Sequence, residues 1–231
     1  MPQLSLARPK GEVRAVALVL HGGQENSTRP VRPGNMAALR MRPFAWSLHS
    51  AGRASGLAVA RLRYDLRGWN GDLRSPVGDA RTALAELTGR FPGVPFALVG
   101  HSMGGRTAIH VADDANVRAV VGLAPWIEPG EPVRTVTGRR VLIAHGDRDK
   151  ITNPQSSEAW ARAAADFAES ISYVTVRGEQ HAMLARASVW HRLCTGFVLG
   201  ALFGSSLEGT EGADTANIVT KALAGEPLLV V

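Results

Sequence analysis

A Gly-x-Ser-x-Gly stretch, Gly100–Gly104, is the part of the sequence best suited to chemistry. It follows the apolar run 95–99 and precedes a segment with helical character, 106–112. A strand that turns sharply into a helix would hold the hydroxyl of Ser102 on a strained elbow, and the flanking glycines would leave room for the turn. The stretch therefore predicts a nucleophilic serine. The alternative is a glycine-rich turn in which Ser102 only caps the helix.

The groups that could activate Ser102 are one of seven histidines and one of two aspartates. A serine hydroxyl needs a base within hydrogen-bond reach, and the base needs an orienting carboxylate. His181 alone among the histidines follows the last strand of the pattern in a glycine-containing loop, so we predict that it is the base. Asp147 and Asp149 both follow the preceding strand. We predict Asp149 as the acid because it lies further along the loop, whereas Asp147 is close enough to the strand to serve the turn itself.

Two backbone N–H groups could stabilise an oxyanion beside Ser102. That of Met103 would lie at the positive end of the helix dipole. That of Gly23 belongs to the small residues that follow an early buried strand, where a tight turn without a ligand is the alternative. Four side chains are candidate walls of the substrate pocket, although simple packing would also explain them: Gln24, Trp69, Trp126 and Met183.

Apolar runs that alternate with helical patterns would position these groups. Buried strands are predicted at 15–20, 56–62, 96–99, 117–123, 141–145 and 171–176, and helices at 35–51, 75–90, 155–169 and 187–203. Pro43 is expected to kink or restart the first helix, and Ser75 is expected to cap the second. Continuous apolar strands with short connections favour an α/β fold, with a mainly parallel twisted sheet and helices on both faces.

The segment 127–140 between two predicted strands is too short for a helical lid and contains Pro129 and Pro132. We therefore expect an open site without a lid domain. The polar segment 23–35 could fold over the site instead.

Length and composition fit a catalytic domain at 1–204 followed by a flexible or docking tail at 205–231. The net charge of +6 comes from scattered arginines without a nucleic-acid module, so no nucleic-acid partner is expected. The sequence has no apolar run of about 20 residues and no secretion signal, which favours a cytoplasmic protein without a membrane span. Its one cysteine, Cys194, excludes an intrachain disulfide, and no histidine or cysteine spacing predicts a metal. A homo-oligomer is possible.

Five motifs in chain order resemble the α/β-hydrolase superfamily over about residues 13–203. They are His21-Gly22, Tyr64–Gly68, Gly100–Gly105, Gly146–Asp149 and His181. The resemblance implies a triad of Ser102, Asp149 and His181, with oxyanion N–H groups from Met103 and Gly23. Within the superfamily, the chain resembles compact lidless members of the dienelactone-hydrolase-like and small carboxylesterase or thioesterase kinds.

The function that this resemblance implies is acyl transfer to Ser102. The expected substrate is a small carboxylic ester or thioester, and no cofactor is expected. Two alternatives stay open: an acyltransferase of the same fold, in which another nucleophile replaces water, and a catalytically inactive binding protein.

Overall fold

The computed structural model describes residues 1–204 and 213–231, and an eight-stranded sheet lies at their centre. The strands are β1 (Gln3–Ala7), β2 (Ala15–Leu20), β3 (Leu57–Arg63), β4 (Phe96–His101), β5 (Val117–Leu123), β6 (Arg140–Gly146), β7 (Ser170–Val176) and β8 (Leu228–Val230). Their order in the sheet is β1-β3-β2-β4-β5-β6-β7-β8. Only β1 pairs antiparallel, with β3. The predicted mainly parallel sheet is confirmed.

Helices cover both faces of the sheet, as predicted. They are α1 (Met36–Arg40), α2 (Arg42–Gly52), α3 (Ser75–Arg90), α4 (Met103–His110), α5 (Pro154–Ala164), α6 (Ala187–Phe203) and α7 (Ala213–Leu223). Residues of α3, α4 and α5 join one apolar cluster, while residues of α2, α6 and α7 join a second cluster on the opposite face.

Strand β2 shows why the parallel strands have continuous apolar sequences. Its residues alternate between the two clusters: Val16, Leu18 and Leu20 belong to the first, and Ala15 and Val19 to the second. All of them are buried, because helices cover both sides of the strand. A strand buried on both faces needs apolar residues at every position.

Two helix starts depend on local backbone geometry. The first predicted helix divides at Met41, and Pro43 lies in the first turn of the new helix α2, where its missing N–H costs nothing. The expectation that Ser75 caps α3 is wrong. Arg74 occupies the cap position with φ 43°, and the Ser75 hydroxyl accepts a hydrogen bond from the Asn70 amide at 3.1 Å instead.

The connections diverge between β2 and β4. From β2 the chain continues to β3 on one side and then returns to form β4 on the other side. In open α/β sheets, ligands bind beyond the carboxyl ends of the strands at such a point. Gly23 follows β2 and Ser102 follows β4, so both lie at this edge.

Between β5 and β6 the chain forms only a short 3-10 turn, Arg134–Val136, so the sheet carries no helical lid there. The described part of the predicted tail docks on the sheet, since α7 packs on α6 and β8 pairs in parallel with β7. Residues 205–212 of that predicted tail lie outside the described residues. In the ranges 1–204 and 213–231, none of the helices combines the length and apolar character needed to cross a bilayer.

Candidate active site

The turn from β4 into α4 places Ser102 on a strained backbone. Its φ of 54° and ψ of −120° are unusual for a residue with a side chain. Backbone hydrogen bonds hold this conformation. The Ser102 N–H donates to the Leu123 carbonyl at 3.1 Å, and the Ser102 carbonyl accepts the N–H groups of Gly105 (2.9 Å), Arg106 (3.2 Å) and Trp126 (3.1 Å). The predicted strand-to-helix elbow is therefore present.

The glycines on either side of Ser102 are required by close backbone approaches. A Cβ atom at Gly100 would overlap the backbone of Gly104. One at Gly104 would overlap the carbonyl of Leu20 at the end of β2. The elbow can therefore form against the neighbouring strand only with glycine at both positions.

Asp149 and His181 meet at this edge of the sheet. The Nδ1–H of His181 donates to Asp149 Oδ2 at 2.8 Å, which leaves Nε2 of the ring as the basic nitrogen. The Asp149 side chain is fully buried, and that of His181 is 18% exposed. Asp147 instead accepts the N–H of Gly178 at 2.7 Å and so joins two turns. Of the two candidate acids, the structure brings Asp149 to the histidine.

The Asp149 carboxylate has several further donors. The N–H groups of Ile151 and Thr152 donate to Oδ1 at 2.8 and 3.1 Å, and His145 Nε2–H donates to Oδ2 at 3.1 Å. Burial alone would raise the pKa of Asp149, but these hydrogen bonds and that from His181 outweigh it and hold the pKa well below its ordinary value. The carboxylate is therefore ionised at neutral pH.

His101 connects the elbow to the His181 loop. Its Nε2–H donates to the backbone carbonyl of His181 at 3.1 Å, and the two imidazole rings lie 4.7 Å apart. Burial, with the nearby His181, lowers the pKa of His101 to about 3, so this ring is neutral. The Ser102 hydroxyl itself makes no hydrogen bond within the described residues. The structure thus places the His181 loop against the elbow without joining Ser102 directly to the imidazole.

The N–H groups of Gly23 and Met103 have no acceptor in the described part of the chain. Gly23 lies so close to Met103 and to the Arg67 carbonyl that a Cβ atom would overlap both. A Cβ atom on the preceding Gly22 would lie 3.3 Å from Cβ of Ser102. Two unpaired donors therefore belong to segments that pack against each other at the elbow.

Ser102 opens into a cleft of about 600 Å³. Three of the four expected pocket residues, Gln24, Trp69 and Trp126, line it. Met183 does not. Met183 is buried in the apolar cluster around α6, and its N–H donates to the Gln180 carbonyl at 3.0 Å. Within residues 1–204 and 213–231, no three histidine, cysteine, aspartate or glutamate side chains are placed to hold a metal ion.

Comparison with known proteins agrees with this architecture. A model of the alpha/beta hydrolase family matches residues 17–216. The chain belongs to this family. No match was found among curated proteins.

The chain also superposes on several solved structures. An alpha-beta serine hydrolase homologue from Coxiella burnetii has a TM-score of 0.63 and 20% identity, over 84% of this chain and 90% of its own. Est1E from Butyrivibrio proteoclasticus has a TM-score of 0.64 and 16% identity, over 87% and 94%. A serine hydrolase without lid from Xanthomonas campestris has a TM-score of 0.60 and 17% identity, over 84% and 86%. At these identities the likeness shows a shared fold.

Two polar residues of this alpha/beta hydrolase were missed by the sequence analysis. The Thr152 hydroxyl donates to Asp149 Oδ2 at 2.9 Å and lies 3.2 Å from His181 Nδ1. His145 is buried between Asp149 and the hydroxyl of Ser157, which is 2.8 Å from its Nδ1. The spacing Asp-x-x-Thr is typical of a turn closed by an aspartate side chain, and this signal could have indicated Thr152. A histidine within a buried strand gives no comparable signal.

Proposed function

We propose that this protein is a serine hydrolase that cleaves carboxylic ester or thioester bonds of small molecules. The observation that carries the proposal is the 2.8 Å hydrogen bond between the buried Asp149 carboxylate and His181, in a loop packed against the strained Ser102 elbow. A base oriented by a carboxylate near a partly exposed serine is the arrangement that nucleophilic acyl transfer needs.

In the proposed first half-reaction, Ser102 attacks the substrate carbonyl. His181 Nε2 takes the hydroxyl proton as the Oγ–C bond forms, and the Ser102 hydroxyl, which has no partner within the described residues, is free to turn toward it. Asp149 stabilises the imidazolium, and His101 stays neutral and so adds no repulsion. The bond to the leaving alcohol or thiol then breaks, and His181 donates its proton to the leaving group.

In the second half-reaction, His181 takes a proton from water, and the water oxygen attacks the acyl-enzyme carbonyl. The bond between the acyl carbon and Ser102 Oγ then breaks, and His181 returns its proton to Oγ as the carboxylic acid leaves. In both halves a negative charge develops on the substrate oxygen. The N–H groups of Gly23 and Met103 are the donors that support an oxyanion site, since neither has another acceptor in the described residues. Removal of one such donor from other hydrolases costs about 10²–10³-fold in rate.

Labelling with a fluorophosphonate probe tests the proposal before any natural substrate is known. The wild-type protein should react at Ser102, and Ser102→Ala should not react. The same variant should lose p-nitrophenyl butyrate hydrolysis by about 10⁶-fold.

Ser5→Ala is the matched control, because Ser5 lies on β1 at the far edge of the sheet. It should label and turn over like wild type, and all three proteins should melt at similar temperatures. A wild-type protein that is folded but not labelled, or a Ser102→Ala variant that still turns over the ester, would overturn the proposal.

A further inference from the structure

We propose that Arg106 binds a carboxylate of the substrate, so that the preferred esters or thioesters carry a single negative charge. This inference rests on the proposed hydrolase function and names the substrate class of the same site.

Arg106 lies one helical turn beyond Ser102. Its N–H donates to the Ser102 carbonyl at 3.2 Å, and its side chain lines the same cleft as Ser102. Four residues of helix correspond to about 6 Å along the axis. Because the Arg106 side chain and Ser102 line one cleft, a single small substrate can contact both.

Two indole rings hold the guanidinium in one place. Its central carbon lies 4.1 Å from the ring centre of Trp69 and 4.3 Å from that of Trp126. The two rings are inclined by 74° with their centres 6.2 Å apart, so they form a corner around the cation. The Arg106 side chain is only 12% exposed. A cation ordered in this way loses little further entropy when it binds an anion.

Glu131 occupies only one edge of the guanidinium. Its Oε1 accepts the Arg106 Nε–H at 2.6 Å, while its Oε2 lies 2.5 Å from His110 Nε2. One buried carboxylate is thus shared between the side chains of Arg106 and His110. The Nη1 and Nη2 groups of Arg106 have no acceptor in the described residues. Their N–H groups can bind both oxygens of a carboxylate, the pairing that the planar guanidinium fits best.

The other charged groups of the cleft favour a monoanion. Glu25, Asp72, Arg74 and Glu128 also line it, and all four are exposed. Water and salt screen exposed charges, so a direct contact with the largely buried Arg106 would dominate binding. The three exposed carboxylates would nevertheless disfavour a second negative charge on the substrate.

The test compares anionic and neutral esters of matched shape. In the first pair, monomethyl adipate carries a carboxylate in the acyl group, and dimethyl adipate is its neutral match. In the second pair, 4-acetoxybenzoate carries a carboxylate in the leaving group, and its methyl ester is the neutral match. The readout is the ratio of kcat/KM for the anionic over the neutral ester. In one of the two pairs, Arg106→Met should lower this ratio by about 10- to 100-fold, with partial recovery in Arg106→Lys.

Glu131→Gln is the matched control, because it leaves the guanidinium in place and removes its countercharge. This variant should raise the same ratio. If Arg106 only supports the cleft wall by packing, each variant would lower kcat/KM equally for the anionic and the neutral ester. The ratio would then be unchanged in both pairs, and this result would overturn the inference. Should Arg106→Met fold poorly with Glu131 unpaired, Arg106→Met combined with Glu131→Gln should show the same loss of ratio.

Failure of the inference is distinguishable from failure of the proposed function. Ser102-dependent turnover with an unchanged ratio would overturn only the role of Arg106. A folded wild-type protein that hydrolyses none of the four esters and is not labelled at Ser102 would overturn both.

Discussion

Ser102 and Asp149 lie at the same edge of one sheet, but different forces hold them there. Ser102 is positioned by backbone hydrogen bonds and by glycines that allow β2, β4 and α4 to approach closely. Asp149 is positioned by five hydrogen-bond donors from side chains and a turn. The serine side of the site should therefore be sensitive to added atoms, and the acid side should be sensitive to lost polar groups.

The largest expected effect is the loss of kcat when the charge of Asp149 is removed. Asp149→Asn keeps the shape of the side chain but removes the charge that fixes the His181 tautomer, so kcat for p-nitrophenyl butyrate should fall by about 10⁴-fold. Asp147→Asn removes a charge but keeps an oxygen that can accept the Gly178 N–H, and it should change kcat by less than about threefold. Equal losses in the two variants would contradict the assignment of Asp149.

The second prediction is a loss of stability when one methyl group is added beside Ser102, at Gly104. In Gly104→Ala the new Cβ would overlap the Leu20 carbonyl, and the free energy of unfolding should fall by about 3 kcal/mol. Gly89→Ala is the control, because a Cβ there meets nothing within 4 Å on helix α3. It should be neutral or stabilising by up to about 1 kcal/mol. Urea unfolding of both variants measures the contrast, and a fully stable Gly104→Ala would disprove the steric argument.

The smallest expected effect is a modest loss of kcat when Asp149 loses one of its hydrogen-bond donors, the Thr152 hydroxyl. Thr152→Val keeps the volume but removes the hydroxyl that donates to Asp149, so kcat should fall by about 10-fold with little change in KM. Thr152→Ser retains the donor and should recover most of kcat. If serine is no better than valine, Thr152 acts through packing and has no positioning role.

The sequence predicts well those elements that one local pattern determines. The continuous apolar run of β2, the apolar helix α6 and the break near Pro43 all follow from burial or from proline geometry, which depend on few neighbours. The close spacing of Gly100 and Gly104 around a serine likewise carries its own steric explanation.

The features that the sequence analysis missed depend on distant partners. Ser75 fails to cap α3 because an amide from a preceding loop takes its hydroxyl and Arg74 adopts a positive φ. Met183 packs in the apolar cluster around α6 and not on the cleft. An apolar side chain in a loop suits either place, so its residue type does not decide between them. His145 donates a hydrogen bond to Asp149 only because the fold brings the two side chains within 3.1 Å of each other.

The pairing of β8 with β7 has a consequence for the order in which the site is completed. The Val231 carbonyl accepts the N–H of Arg177 and a guanidinium N–H of Arg186, both at 2.9 Å, and these two residues bracket the loop that carries His181. Residues 228–231 must therefore leave the ribosome before that loop gains its final anchors. A nascent chain that lacks these residues would lack both hydrogen bonds, so the segment that carries His181 would be held less firmly.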